Sequence, residues 1–75
     1  MVPKYKLVYT RYPDKEYPWY DCQIPLVQSI GKLLQIASTN SVSFKKRQVC
    51  LTAAHQILRL CGFTENLAIR TSEEE

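Results

Sequence analysis

The stretch from Ser43 to Phe63, SFKKRQVCLTAAHQILRLCGF, carries the clearest local code in the chain. Ser43 is a good N-cap, because its hydroxyl can accept a hydrogen bond from a free backbone N–H one turn later. Gly62 suits a left-handed residue after a helix, and Phe63 would then touch Leu58 in a Schellman motif. Between these ends, apolar residues recur at the spacing of one helix face. They are Cys50, Ala53, Ala54, Ile57, Leu58 and Cys61.

Three further apolar residues widen this face. Val49, Leu51 and Leu60 extend the apolar arc to roughly 200° at the helical period. An arc of that width exceeds the usual stripe of a surface helix, so it requires two neighbours or a partner chain. We therefore predict that these three residues bind a partner. The opposite face has no carboxylate and consists of Lys45, Gln48, Thr52, His55, Gln56 and Arg59.

A second helix is predicted over residues 24–37. Pro25 suits the first turn, and Asp21 is a candidate cap a few residues earlier. Gly31 either weakens this helix by about 1 kcal/mol or marks a close approach of the other helix. The polar residues 38–42 form a link short enough to make the two helices antiparallel neighbours. The apolar stripe consists of Leu26, Val27, Ile30, Leu33, Leu34 and Ala37.

Both ends of the chain favour strands. Residues 4–12, KYKLVYTRY, are rich in β-formers, and Pro13-Asp14 suits a turn. Residues 16–21, EYPWYD, are either the edge arm of a hairpin or an irregular loop, because Pro18 cannot donate to a ladder. Residues 66–70 are either a short strand or a last helical turn, and we favour the strand.

These elements define a small α+β fold. An N-terminal strand or hairpin packs on an antiparallel two-helix hairpin, with a short C-terminal strand as a further element. Residues 1–71 are predicted to form one domain, and residues 72–75 an acidic flexible tail.

Composition limits the class of protein. The chain has 75 residues, of which 45% are hydrophobic and 23% charged, which is typical of globular domains. Its three cysteines are an odd number, and the N-terminus lacks an apolar signal region. No apolar run approaches the roughly 18–20 residues of a membrane span. These features favour an intracellular protein of the cytoplasm or nucleus with reduced thiols, which leaves association as the supplement to a small core.

Charge is unevenly distributed. Residues 1–21 carry four bases and three acids (+1), residues 22–63 five bases and no acid (+5), and residues 64–75 one base and four acids (−3). Lys45, Lys46 and Arg47 fall in the first helical turn, where the helix dipole disfavours cations unless an anion binds there. With Arg59 they are the candidate residues for binding a nucleic acid, although they also fit a solvated loop.

Aromatic residues crowd the first twenty positions. They either form a sheet face that packs on the helices or expose a recognition surface. For an apolar partner we expect contacts from Tyr17, Trp19 and Tyr20. The full set is Tyr5, Tyr9, Tyr12, Tyr17, Trp19 and Tyr20.

The residue inventory argues against an enzyme. Cys50 and His55, the only histidine, would lie about 140° apart around one helix. Cys50 and Cys61 would be about 16 Å apart along it and cannot share a metal ion. The two cysteines on the apolar helix face, Cys50 and Cys61, are expected in the core, and His55 on the surface or flank of the helix. No catalytic residue, metal, cofactor or small-molecule substrate is predicted.

The sequence thus favours a small non-enzymatic interaction module, a regulatory or adaptor protein or a viral accessory protein. It is expected to form a homodimer through its amphipathic helices or to bind another protein. Nucleic-acid binding through the basic start of the long helix is the alternative.

Overall fold

A computed structural model describes residues 2–74, with side chains for residues 3–61 and 66–72. Two strands form an antiparallel sheet, and two helices pack together against it. The predicted α+β fold, with an N-terminal strand, a two-helix hairpin and a C-terminal strand, is confirmed. Its elements are β1 (Val2–Tyr9), a short 3-10 helix (Trp19–Asp21), α1 (Pro25–Ala37), α2 (Phe44–Glu65) and β2 (Leu67–Glu74).

The start of α2 follows the predicted capping. The Ser43 hydroxyl accepts a hydrogen bond from the Lys46 N–H at 3.2 Å, and the Ser43 carbonyl accepts one from the Arg47 N–H at 2.9 Å. Both contacts satisfy groups that the first turn leaves without helical partners.

The end of α2 differs from the prediction. The helix continues through Gly62 to Glu65, and Asn66 instead takes the left-handed conformation, with φ of 54°. Asparagine tolerates this conformation better than most residues, so it ends the helix as glycine would. The Asn66 carbonyl accepts a hydrogen bond from the Thr10 N–H at 2.8 Å, which fixes the turn into β2. The predicted contact of Phe63 lies outside the described side chains.

The start of α1 is also corrected. Ile24 occupies the N-cap position without a side-chain hydrogen bond, and Asp21 belongs to the 3-10 helix instead. Pro25 begins the helix as expected, because its missing N–H needs no partner there. The Gln28 side-chain amide donates to the Cys22 carbonyl and ties the incoming chain to the first turn.

Gly31 marks a close approach, but not of the other helix. A Cβ atom at this position would overlap the indole ring of Trp19. The ring therefore lies directly on the backbone of α1, and only glycine leaves room for it.

The C-terminal strand is longer than predicted, and the N-terminal strand both begins and ends earlier. Its register pairs Val2 with Glu74 and Tyr9 with Leu67. β1 ends at Tyr9 rather than Tyr12, because the chain turns there and the Tyr12 N–H donates to the Tyr9 carbonyl. Asn66 forms the turn after α2, and residues 67–70 lie in a strand, as favoured; this strand continues to Glu74.

The core lies between the inner face of the sheet and the two helices. Leu7 of β1, Ile30 of α1, Ala54 of α2 and Leu67 of β2 are each at most 6% exposed. The helix α1 packs on β1 and α2 packs on β2. Within the described part of the chain, no helix combines the length and apolarity needed to cross a membrane.

Residues 10–24 form an irregular segment on the β1 side of the sheet. The Tyr17 N–H donates to the Leu7 carbonyl at 2.7 Å, and Glu16 forms an isolated bridge with Val8. A Lys6–Glu16 ion pair at 2.7 Å adds a tether. Of the two predicted forms, the irregular loop is therefore the one observed, with a single bridge in place of a hairpin arm.

Candidate interaction surface

One flank of α2 exposes large apolar side chains. Val49 is 62% exposed and Leu60 is 75% exposed. They are eleven residues apart, which is about 20° around the helix and about 16 Å along it. Ala53, which is half-buried, lies between them. We call Val49, Ala53 and Leu60 the outer flank of α2.

The outer flank points away from α1. Arg47, on the other side of α2, donates to two carbonyls at the C-terminal end of α1, so that side faces α1. Val49 is about 160° around the helix from Arg47. Because α2 lies over β2, the outer flank lies on the side of the molecule that β2 borders.

Leu51, the third predicted contact residue, lies elsewhere. It is half-buried and packs against the core rather than on the outer flank. The wide apolar arc predicted for α2 is present in the structure. The helix α1 covers one side of this arc and leaves the other side exposed to solvent. Sequence alone did not indicate which edge would be covered.

Phe44 was not singled out from the sequence, yet it is 75% exposed. It occupies the first position of α2 and borders a shallow groove with Val49 and Gln56. All the residues that line this groove belong to α2, so it is a feature of one helix surface rather than an enclosed cavity. The position of Phe44 directly after the N-cap Ser43 was the sequence feature from which its exposure could have been predicted.

The basic cluster is divided in the structure. Lys45 and Lys46 are exposed in the first turn of α2. The Arg47 guanidinium instead donates from Nε to the Ala37 carbonyl at 2.9 Å and from Nη2 to the Thr39 carbonyl at 3.1 Å. It therefore neutralises the negative end of the α1 dipole, which offsets its unfavourable position at the start of α2.

Arg59 does not join the other cations. It is exposed on the same helix but lies fourteen residues from Lys45, or about 21 Å along the axis. The four predicted anion-binding residues therefore do not converge on one site.

The predicted aromatic contacts have different environments. Trp19 packs on Gly31 and is half-buried, and Tyr17 is half-buried with its hydroxyl 3.4 Å from the Cys22 sulfur. Tyr20 is 69% exposed and makes an edge contact with the Trp19 ring. Of these residues, only Tyr20 presents most of its surface to a partner.

The cysteines and the histidine do not form a reactive cluster. Cys50 and Cys61 are buried core residues and His55 is exposed, as expected. Cys22 is a free, half-buried thiol. Among the side chains that the structure describes, no group of three or more His, Cys, Asp or Glu residues could hold a metal ion.

Comparison with known protein families, curated proteins and solved structures finds no match to this chain. The interaction surface must therefore be interpreted from its own chemistry.

Proposed function

We propose that this protein is a small non-enzymatic interaction module, of a regulatory or adaptor kind, that self-associates through the outer flank of α2. The observation that carries the proposal is the exposure of Val49 and Leu60 on one face of the longest helix. Two large apolar side chains at helical spacing on one flank are typical of a helix that packs against a partner.

Energetics support association but set a limit on its strength. Full burial of a valine or leucine side chain contributes roughly 1.5–3 kcal/mol, so four partly exposed side chains in a dimer would contribute roughly 4–8 kcal/mol. Association costs an estimated 4–15 kcal/mol in lost freedom. The outer flank alone therefore supports only a weak dimer, and a stable one needs further contacts.

Sedimentation velocity over a range of concentrations tests this proposal. We expect the wild-type chain to shift from monomer to dimer as its concentration rises. A double variant, Val49→Lys with Leu60→Lys, should remain monomeric, because four lysines would face one another. Both positions are exposed, so the variant should keep its helical circular dichroism.

A control adds the same charge elsewhere. His55→Lys with Ser41→Lys also adds two cations at exposed positions, but away from the outer flank. This control should dimerise like the wild type. A wild-type chain that stays monomeric at millimolar concentration, or a flank variant that dimerises normally, would contradict the proposal.

Two buried cysteines support a proposal for the location of the protein. Cys50 and Cys61 are buried cysteines that pack as small apolar residues and form no disulfide with each other. Such thiols suit a reducing compartment, so we propose that the protein resides in the cytoplasm or nucleus.

Nucleic-acid binding is the second candidate function. Its support is the exposure of Lys45, Lys46 and Arg59 along a helix that carries no carboxylate before Glu65. Binding through these residues would weaken steeply with salt, since each phosphate contact releases counterions. If single-stranded RNA and duplex DNA fail to bind at low salt, or if Lys45→Ala with Lys46→Ala leaves binding unchanged, this candidate is excluded.

A further inference from the structure

The two edges of the sheet are not equally covered. On β1 the Tyr5 N–H donates to the Ser38 hydroxyl at 3.0 Å, and the Leu7 carbonyl accepts the Tyr17 N–H. These odd-numbered residues therefore direct their backbone groups away from β2. In an antiparallel pair the directions alternate, so even-numbered residues form the ladder between the strands.

The same alternation fixes the open edge of β2. Leu7 pairs with Ile69 and Tyr5 pairs with Thr71. Ile69 and Thr71 therefore point their N–H and C=O groups outward, on the side away from β1. Among the described residues, no hydrogen bond reaches these groups. An exposed strand edge of this kind is a template for pairing with another strand.

The open edge and the outer flank of α2 border the same side of the molecule. The helix α2 packs on β2, and its outer flank points away from α1. An unpaired strand edge and an apolar helix flank are thus adjacent. A partner that supplied both a strand and an apolar helix would satisfy both features at once.

The charges along β2 fit a second copy of this chain. The strand carries Arg70 at its middle and Glu73 and Glu74 at its end. In the antiparallel register centred on Ser72, Thr71 pairs with Glu73 of the other copy and Arg70 lies opposite its Glu74, whereas parallel pairing would set like charges together. Arg70 is exposed, with one nitrogen donating to the Pro13 carbonyl at 2.6 Å.

We infer that two copies join through antiparallel pairing of their β2 edges, giving one four-stranded sheet in the order β1–β2–β2–β1. The outer flanks of the two α2 helices meet above the join. This inference rests on the proposed self-association and specifies its geometry. The two-fold axis makes the contact isologous, so the assembly closes at two copies.

Thr71→Pro tests the strand pairing. Proline removes the outward N–H but leaves the ladder to β1 intact, since Thr71 does not donate to β1. Its effect occurs twice in the dimer, so we expect the dissociation constant to rise about 10- to 100-fold. Thr71→Val keeps the N–H and is the matched control, with little change expected.

Amide hydrogen exchange of the wild-type chain gives a second readout that needs no variant. At concentrations where the chain is monomeric, the Ala68, Arg70 and Ser72 amides should be protected, and those of Ile69 and Thr71 should exchange rapidly. At dimer concentrations, the Ile69 and Thr71 amides should slow by about tenfold or more. If Thr71→Pro prevents folding, this exchange pattern decides the question.

Two outcomes would overturn the inference. If the dimer forms and the Val49→Lys and Leu60→Lys double variant disrupts it, but the Ile69 and Thr71 amides stay unprotected, the proposed function stands and strand pairing is wrong. If the chain is strictly monomeric and an unrelated strand peptide protects these amides, the occupant is a different protein. In that case both the inference and the proposed self-association fail.

Discussion

The two edges of the sheet in this small fold differ in how far other residues cover them. On the α1–β1 side, residues 10–24 cover the strand edge with a backbone hydrogen bond and an ion pair, and the Trp19 ring packs on α1. On the α2–β2 side, the strand edge has no described partner, and Val49 and Leu60 lie exposed above it. One side is therefore closed by contacts within the chain, whereas the other exposes the apolar flank and strand edge on which the proposed self-association depends.

The largest expected difference is in the stability lost when a buried residue of α1 or an exposed residue of α2 is truncated. Ile30 of α1 is fully buried, whereas Val49 on the outer flank is 62% exposed. Ile30→Ala should lower the free energy of unfolding by about 2–5 kcal/mol, because it removes packed atoms and leaves a cavity. Val49→Ala should change it by less than about 0.5 kcal/mol in the monomer.

Urea unfolding at low protein concentration measures both values. If Ile30→Ala does not fold, Ile30→Val replaces it with an expected loss of about 0.5–1.5 kcal/mol. Equal losses at positions 30 and 49 would show that the outer flank is already packed, which would remove the contrast.

The next effect concerns the contact that covers the α1 side. Gly31→Ala should lower the free energy of unfolding by about 1–2 kcal/mol, because the new methyl group overlaps the Trp19 ring. In a Trp19→Ala background the same substitution should raise it by about 0.5–1 kcal/mol, since alanine favours helix over glycine.

A double-mutant cycle by thermal unfolding checks this change of sign. A stabilising effect of Gly31→Ala in both backgrounds would mean that Trp19 does not pack on α1. The β1 side would then be less closed than described.

An effect of similar size distinguishes the two cations, Arg47 and Lys46, at the start of α2. Arg47→Met keeps the apolar stem but removes the hydrogen bonds to the Ala37 and Thr39 carbonyls. We expect a loss of about 1–2 kcal/mol in the free energy of unfolding. Lys46→Met, its exposed neighbour, should be neutral or stabilising by about 0.3–1 kcal/mol, because a cation leaves the positive end of α2.

Chemical denaturation at low and high salt measures the free energy of unfolding of these two variants. The stabilisation from Lys46→Met should shrink at high salt, while the loss from Arg47→Met should largely remain. Equal effects of the two substitutions would show that Arg47 is a surface cation like its neighbours and is available to an anion.

The smallest expected change in stability comes from substitutions at Asn66, between α2 and β2. Asn66 holds a positive φ of 54°, so Asn66→Ala should cost about 1 kcal/mol of stability. Asn66→Gly should be neutral or slightly stabilising, since glycine adopts this conformation freely. Differential scanning calorimetry of the two variants measures the difference, and the opposite order would contradict the left-handed turn.

Periodicity and capping were sufficient to predict the helices and their order. Ser43 and the apolar stripe of α2 are local signals, and both are confirmed. The predicted end of α2 was wrong: Gly62 satisfies the usual stop pattern, but the helix continues to Glu65 and ends before Asn66, whose carbonyl bonds to Thr10 just after β1. That contact joins residues distant in the sequence, so no local pattern could indicate it.

The candidate surface was predicted only in part. The width of the apolar arc indicated unfilled contacts, and Val49 and Leu60 are indeed exposed. The sequence could not show that Leu51 faces the core, or that Arg47 would bond to the end of α1. Both depend on the side of α2 that α1 covers, which is set by tertiary packing.

The most direct test of the open α2–β2 side is an isotope-filtered NMR experiment on an equal mixture of labelled and unlabelled chains. It detects methyl contacts between copies. We predict intermolecular signals from the methyl groups of Val49 and Leu60. A dimer whose intermolecular signals come instead from the Trp19 and Tyr20 rings, with none from the outer flank, would contradict the account.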